Sequence, residues 1–413
     1  MRGCCGAVLA PHPALRATFP REGGRKVGEM AGKSRAEREA LERQNAAIMA
    51  VFERAGFDQI APDIIQPADI FLERSGEDIR ARTFVFTDPS GAEMCLRPDL
   101  TVPACRYHLS HVSDPKAEQR YCYLGPAFRF PDELLSPQEF TQAGLEWFGA
   151  TEKIAAEARV LKLTIGALEA AGLSKFRVTL GDLGLFGGLL ADTQMPERWR
   201  KRLQHHFWRP HAFRELLESF CAGSTARRTS ISELVDLITD DNALSLVEAE
   251  IEKRQLPFVG GRDVTEIASR LTGKAADRRE IPLDRAKADR LNAYLAITGD
   301  AAAIGAELGR IATGERFEAA RGYYARRLFE MEELGLNPRR FTFTAGFGRE
   351  LEYYTGFTFQ IEADTSHGPV AVAGGGRYDN LLSDMGSPIA VPAVGCAIHT
   401  DRLKAVLTKT GLV

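Results

Sequence analysis

The first stretch with a clear period is "SRAEREALERQNAAIMAVFERAGF", where Leu41, Ile48 and Phe52 share one helical face. Ser34 and Glu37 form a capping box ahead of it, and Gly56 stops it. The pattern then shifts toward alternation. "DQIAPDIIQPADIF" reads as a strand broken by Pro62 and Pro67. "TFVFTDPSGAEMCLRPDLT" predicts a hairpin, with Phe84 and Phe86 alternating before a turn at Asp88–Gly91 and Met94 and Leu96 after it. "YCYLGPAFRF" and "EFTQAGLEWFGA" predict two further strands joined by the loop "PDELLSPQ". A helix near Ile154–Ala171 and the strand "KFRVTLGD" follow.

From about Leu183 to Leu336 the pattern is helical, as in "MPERWRKRLQHHF", "SISELVDLI" and "DRAKADRLNAYLAI". At Phe341 strands return: "RFTFTAGF", "YYTGFTFQIEA", "PVAVAGG" and "AVGCAI". The expected organisation is an extended or disordered start over residues 1–33, a first core part over 34–183, a mainly helical insertion over 184–340 and a second core part over 341–413. The class is α+β: an antiparallel sheet flanked by helices and interrupted by the insertion. No repeat of fixed period is present.

Composition narrows the function classes. The 413 residues are 44% hydrophobic and 26% charged, with a net charge of −3. That profile fits a globular chain and supplies no global basic field for nucleic acid. Seven Cys without a C-x-x-C pair argue for reduced thiols in a cytoplasmic protein and against a disulfide framework or zinc site. No apolar run reaches the ~18 residues of a spanning helix. The N-terminal stretch has several Arg and no acid before Glu22. It is either a transit peptide or an extended start. Scarce Ser and the lack of an amphipathic stripe favour the latter, with Met30 as an alternative start.

Several residues carry candidate chemistry. In "LRPDLT", Asp99 and Thr101 lie two apart, on one side if extended, where they suit an ammonium group; a strand end with a surface Asp is the alternative. Arg129 falls in an apolar strand, so it either pairs with an internal acid or clamps an anionic ligand. Gln142 and Glu146, four apart in a strand, share a face near Phe140 and Trp147 and suit a small polar ligand. The alternative is a structural Arg–Glu pair across strands. "GRELEYYTGFTF" holds Arg349, Glu352, Tyr353 and Tyr354, and "AGGGRYDNLL" holds Arg377, Tyr378 and Asp379. Gly374–Gly376 lack the G-K-[ST] of a phosphate loop, so they let backbone pass close to a ligand or another strand. "ERWRKRLQHHFWRPHAFR" reads as an amphipathic helix with Trp199, Leu203 and Phe207 inward and its cations solvated, rather than a nucleic-acid patch. The eight His follow no metal-binding spacing.

In order, "LRPDLT", "FR…EFTQAGLEWFG", "RELEYYTG", "AGGGRYDNLL" and "AVGCAI…DRL" resemble the catalytic core of histidyl-tRNA synthetase, a class II fold, over Ser34–Leu183 and Phe341–Leu407. The resemblance implies a homodimer with a histidine pocket on an antiparallel sheet. By match to the family's motifs, Asp99, Thr101, Arg129, Gln142, Glu146, Arg349, Tyr353, Tyr354 and Tyr378 fall at or beside its histidine-holding positions. Acids and Tyr hydroxyls suit the ammonium and imidazole, and an Arg suits the carboxylate. Asp99 stands where the family has Glu, and Glu352 where it has Asp; charge is kept and reach altered.

The nucleotide half departs further. Pro131 replaces the acid that recognises adenine, and the next loop carries Asp132 and Glu133 without Lys or Arg, which repels a triphosphate. His399, Thr400, Asp401 and Arg402 stand where the family has Gly-x-Glu-Arg, and Glu350 where it has Gly. The chain ends at Val413, without the family's anticodon-binding domain of roughly a hundred residues. It therefore resembles the synthetase paralogues that serve as regulatory subunits of ATP phosphoribosyltransferase in histidine biosynthesis. What that implies is a non-catalytic chain with no cofactor or metal, and L-histidine as effector. Its partner is then a short-form catalytic subunit in a hetero-oligomer, with neither nucleic acid nor membrane. Histidine then binds either the synthetase-like pocket or a subunit interface. The rival is a histidine-activating, adenylate-forming ligase.

Overall fold

The computed structural model describes residues 32–74, 76–130, 138–223, 232–239, 241–254, 263–311, 314–348, 353–366 and 368–409. The stretch before Gly32, the loop with Pro131, Asp132 and Glu133, and Arg349, Glu350 and Glu352 lie outside the described residues. The chain divides into two units, residues 1–40 and 41–413. The described part of the first holds the start of helix α1 (Arg35–Arg54) and its capping box. The Ser34 amide donates to Glu37 Oε2 at 2.8 Å, and the Glu37 amide donates to Ser34 Oγ at 3.3 Å.

In the second unit α1 continues with Ile48, Met49 and Phe52 buried, and it ends before Gly56 in the left-handed region at φ +84°. The strands are β1 (Asp58–Gln59), β2 (Ile65–Pro67), β3 (Phe84–Thr87), β4 (Glu93–Leu96), β5 (Gln119–Phe128), β6 (Glu139–Phe148), β7 (Phe176–Asp182), β8 (Thr298–Asp300), β9 (Thr342–Thr344), β10 (Phe357–Thr365), β11 (Gly368–Arg377) and β12 (Ala393–His399). The helices are α2 (Ala68–Arg74), α3 (Gly76–Arg82), α4 (Thr101–His111), α5 (Lys153–Ala170), α6 (Leu183–Asp192), α7 (Glu197–His205), α8 (Pro210–Ala222), α9 (Ser232–Leu237), α10 (Ala243–Arg254), α11 (Val264–Arg279), α12 (Arg285–Leu295), α13 (Gly305–Ile311), α14 (Glu315–Glu333), α15 (Leu381–Asp384) and α16 (Thr400–Lys409).

Among the described residues one sheet runs β1-β5-β6-β12-β11-β10-β7-β9-β8, and β2-β4-β3 form a smaller one. Strands from before and after the helical stretch therefore interleave in a single sheet. The pairs β1–β5 and β7–β9 are parallel and the remaining pairs antiparallel, so the sheet is mixed rather than wholly antiparallel. The hairpin at Phe84–Leu96 forms as expected. "ADIF" instead opens α2, and the helical stretch contributes β8 to the sheet edge, too short to leave a periodic signal.

Alternation along the sheet separates two cores. On β6, Ala143, Leu145 and Trp147 enter a large core with α1, α5, α6, α14 and α16, while Phe140 and Phe148 enter a second core with Tyr121, Tyr123, Tyr353 and Tyr378. Trp147 therefore faces away from Gln142 and Glu146. A satellite core of Val235, Ile238, Val247 and Leu271 holds α9, α10 and α11 together.

A buried ionic cluster joins the helical stretch to the sheet. Arg327 of α14 binds Glu157 of α5, and its Nη1 lies 2.6 Å from Asp182 Oδ2 at the end of β7. Arg377 of β11 binds the other oxygen of Glu157 and reaches Asp379 at 2.8 Å. Lys153 Nζ closes the chain on Asp379 at 2.8 Å. Asp182 also caps α6 by accepting the Gly184 amide at 2.8 Å. Trp199, Leu203 and Phe207 are buried as expected, but the stretch forms two helices, α7 and α8, and Phe207 lies in the connection between them. Arg198 and Arg202 of that stretch are not simply solvated, because they pair with Asp277 at 2.7 and 2.5 Å.

Candidate ligand-binding site

Three segments converge on the second face of the sheet. The first is "LRPDLT". Arg97 is buried and donates through Nε to the Pro126 carbonyl at 2.8 Å, while Arg129 Nε donates to the Pro98 carbonyl at 2.7 Å. This reciprocal clasp holds the loop against β5. The chain does not stay extended here: Thr101 is the first residue of α4, and Asp99 Oδ1 accepts the Val102 amide at 3.1 Å. Asp99 and Thr101 are both buried at that helix start. Arg129 lies one residue beyond β5 rather than inside a strand, with its guanidinium carbon 5.4 Å from the Phe140 ring centroid.

The second segment is β6, on which Gln142 and Glu146 share the site face as their spacing requires. Glu146 has no solvent exposure. It accepts the Tyr123 hydroxyl at 2.9 Å and the Tyr378 hydroxyl on its other oxygen. The third segment, β11 and β12, makes room for it. A Cβ on Gly395 would stand 1.6 Å from Glu146 Oε2, and one on Gly144 would stand 2.5 Å from the Tyr123 hydroxyl. Gly375 lets β11 pass β12, since a Cβ there would meet the Gly395 carbonyl at 2.2 Å.

These segments enclose a cavity of 380 Å³, within the range of small-molecule sites. Asp99, Thr101, Arg129, Gln142, Tyr353, Tyr354 and Tyr378 line it. Glu146 sits behind Gly395 and Tyr378, and Arg349 lies outside the described residues. At the other end His399 stacks on Phe140 with centroids 4.5 Å apart, and Arg402 and Gln360 complete the wall.

The electrostatics favour a cationic occupant. Burial pushes the Glu146 carboxyl up to about 8, against hydrogen bonds from Tyr378, Thr101 and Tyr123 that pull it down, and nearby Asp99 raises it further. Burial also raises Asp99, opposed by Arg129 and the backbone N–H groups that cap α4. Asp99 Oδ2 and Gln142 Oε1 are buried and accept no hydrogen bond among the described residues. Buried acceptors left without donors are costly, and a ligand N–H group would satisfy them. Sequence reasoning missed Tyr123, Gly144, Gly395 and Arg97. Tyr123 alternates with Tyr121 along β5, which was its one available signal. The glycines had none, because their role is a cross-strand clearance.

Comparison with known proteins agrees with this architecture. A family model described as histidyl-tRNA synthetase matches residues 33–284 and 250–403. The ATP phosphoribosyltransferase regulatory subunit of Brucella canis is 35% identical over 359 residues, covering 83% of this chain and 91% of that protein. The Brucella ovis protein of the same name matches to the same extent, at 35% over 359 residues. Among solved structures, an ATP phosphoribosyltransferase regulatory subunit/histidyl-tRNA synthetase from Bacillus halodurans superposes with a TM-score of 0.65 at 21% identity, covering 94% of this chain and 84% of that one. Histidyl-tRNA synthetase from Nostoc sp. gives 0.59 at 16% identity, covering 91% and 73%. The two structures share the class II synthetase fold, and the Brucella proteins, at higher identity, are similar in sequence along most of the chain. The chain belongs to the ATP phosphoribosyltransferase regulatory subunit family, built on the histidyl-tRNA synthetase core.

Proposed function

We propose that the cavity is a histidine sensor in a non-catalytic regulatory subunit that works with a short-form ATP phosphoribosyltransferase catalytic chain. The observation that carries the reading is the pair of donor-less buried acceptors, Asp99 Oδ2 and Gln142 Oε1, beside the buried Glu146. Histidine supplies an ammonium and an imidazole for such a wall, and Arg129 suits its carboxylate. Arg349, placed by its motif, is a second candidate for that carboxylate. Histidine then favours one arrangement of the complex, and a coupling of ~1–3 kcal/mol changes activity several-fold or more. The reading carries with it a cytoplasmic hetero-oligomer in which two copies of this chain pair.

Adenylate formation is disfavoured by His399, which occupies a face of Phe140 in the cavity. The test is calorimetric titration of L-histidine into the protein and into Glu146→Ala. Binding to the wild type that is lost or at least tenfold weaker in the variant is expected, because truncation removes a buried acceptor. Equal affinity in both would remove the pocket as sensor. Histidine-dependent pyrophosphate exchange by the wild type would restore the ligase reading.

A further inference from the structure

On the helix-covered side of the sheet lies a second cleft of 390 Å³ that shares no lining residue with the histidine cavity. Its floor is apolar: Ile165, Val178, Leu336 and Phe341 are buried, and Phe176 is half-buried. Its rim is cationic. Lys162 of α5, Lys175 before β7 and Arg340 in the turn Pro338–Arg340 line it, and none makes an ion pair among the described residues. Two acids also stand there, but Asp364 already pairs with Arg177, which leaves Glu169. This is a concentration of positive charge on a chain whose net charge is −3. The rim at Gly335 and Leu336 continues directly from the end of α14, where Phe329 and Leu334 are 59% and 37% exposed. An exposed aromatic residue and an Arg beside an apolar floor match the residue types enriched at protein contacts.

We propose that this cleft and the adjoining end of α14 form the docking surface for the catalytic chain, engaging an acidic segment that carries an apolar anchor. The inference rests on the regulatory reading above. Charge complementarity selects the occupant: the rim rejects basic surfaces and attracts acidic ones, and the floor accepts an apolar side chain. The surface is also tied to the histidine cavity. The elements that line the cleft, α5, β7 and the end of α14, are those joined by the Glu157–Asp182–Arg327 cluster. Arg377 binds Glu157 and is the sequence neighbour of Tyr378, which holds Glu146. An occupant that moves Tyr378 therefore acts on elements that shape the cleft.

The experiment is sedimentation of the full-length chain with the catalytic chain of the same organism at low and moderate salt. The wild type is compared with the triple variant Lys162→Glu, Lys175→Glu and Arg340→Glu. Association weaker by on the order of tenfold or more is expected for the variant, with wild-type histidine affinity by titration as the check on its fold. The double variant Phe329→Ala and Leu334→Ala removes only exposed side chains and is expected to weaken association without altering its salt dependence. Wild-type association by both variants would overturn the docking surface while leaving the regulatory reading standing. Failure of the wild type itself to associate at any salt would overturn both.

Discussion

Two buried polar clusters lie a few residues apart in this fold and solve opposite problems. Around Glu157, every charge has a partner: Arg327 and Arg377 take its two oxygens, Asp182 and Asp379 each take one further guanidinium nitrogen, and the Lys153 carbonyl accepts from Arg377 Nη2. Around Glu146, two carboxylates share one wall; among the described residues no cation is bound to either oxygen of Glu146, and Asp99 and Gln142 each keep a buried acceptor without a donor. A complete network rigidifies; an incomplete one is ready for a ligand to complete it. The comparison teaches that burial alone does not mark a functional carboxylate. What marks it is burial without compensation, next to a cavity.

The largest effect is expected from breaking the complete cluster. Arg327→Ala leaves Glu157 and Asp182 short of a buried partner and should cost about 3–5 kcal/mol in urea denaturation. A loss below about 1 kcal/mol would mean that water reaches these charges, and the distinction between the clusters would fail.

The incomplete cluster has a steric weakness instead. Gly395→Ala would place a methyl 1.6 Å from Glu146 Oε2. Overpacking of this kind costs about 1–3 kcal/mol. The double variant Gly395→Ala with Glu146→Ala should recover part of the stability, because the second change removes the carboxylate clash and leaves only that with the Leu145 carbonyl at 2.6 Å. Additive losses would show that the clearance serves the neighbouring strand and not the carboxylate. Histidine titration should in turn separate Asp99 from the rest of the wall. Asp99→Asn keeps the cap on the Val102 amide, removes the charge, and should weaken binding by about tenfold. Unchanged affinity would exclude Asp99 from the ammonium site.

Much of the site was legible from alternation. The period of two along "EFTQAGLEWF" fixed Gln142 and Glu146 on one face, and the structure keeps them there. The same period turns Trp147 to the opposite face, against the expectation that it flanks the pair, and Trp147 enters the other core. Asp99 and Thr101 were found for the wrong geometry, since "LRPDLT" turns into α4 instead of staying extended. The complete cluster was invisible. Glu157 and Arg327 are 170 residues apart, and Arg377 and Glu157 are 220 apart. A charged residue on a helix looks solvated unless its partner is known, so Arg327 gave no signal. Arg377 stands in the sequence beside three Gly with no partner to be read from it, and its side chain turns inward to Glu157.

The most gradual effect, spread over several pH units and most specific to the incomplete cluster, is a slope with pH. Glu146 has an ordinary value of 4.5 and is pushed up to about 8 in the folded chain, chiefly by burial. Between those values the folded state holds a proton that the unfolded state has released. Stability therefore carries this contribution in full below about 4.5 and loses it as pH rises toward about 8, levelling beyond. One group can contribute at most ~1.4 kcal/mol per pH unit. Urea midpoints at several pH values across that window should decline for the wild type and flatten for Glu146→Gln, which keeps the hydrogen-bonding shape without the titration. Saturating histidine should also flatten the wild-type slope, since a cationic group beside Glu146 stabilises its ionised form. A wild-type slope equal to that of Glu146→Gln would mean that Glu146 is already ionised in the empty pocket. The two clusters would then differ in partners but not in charge state.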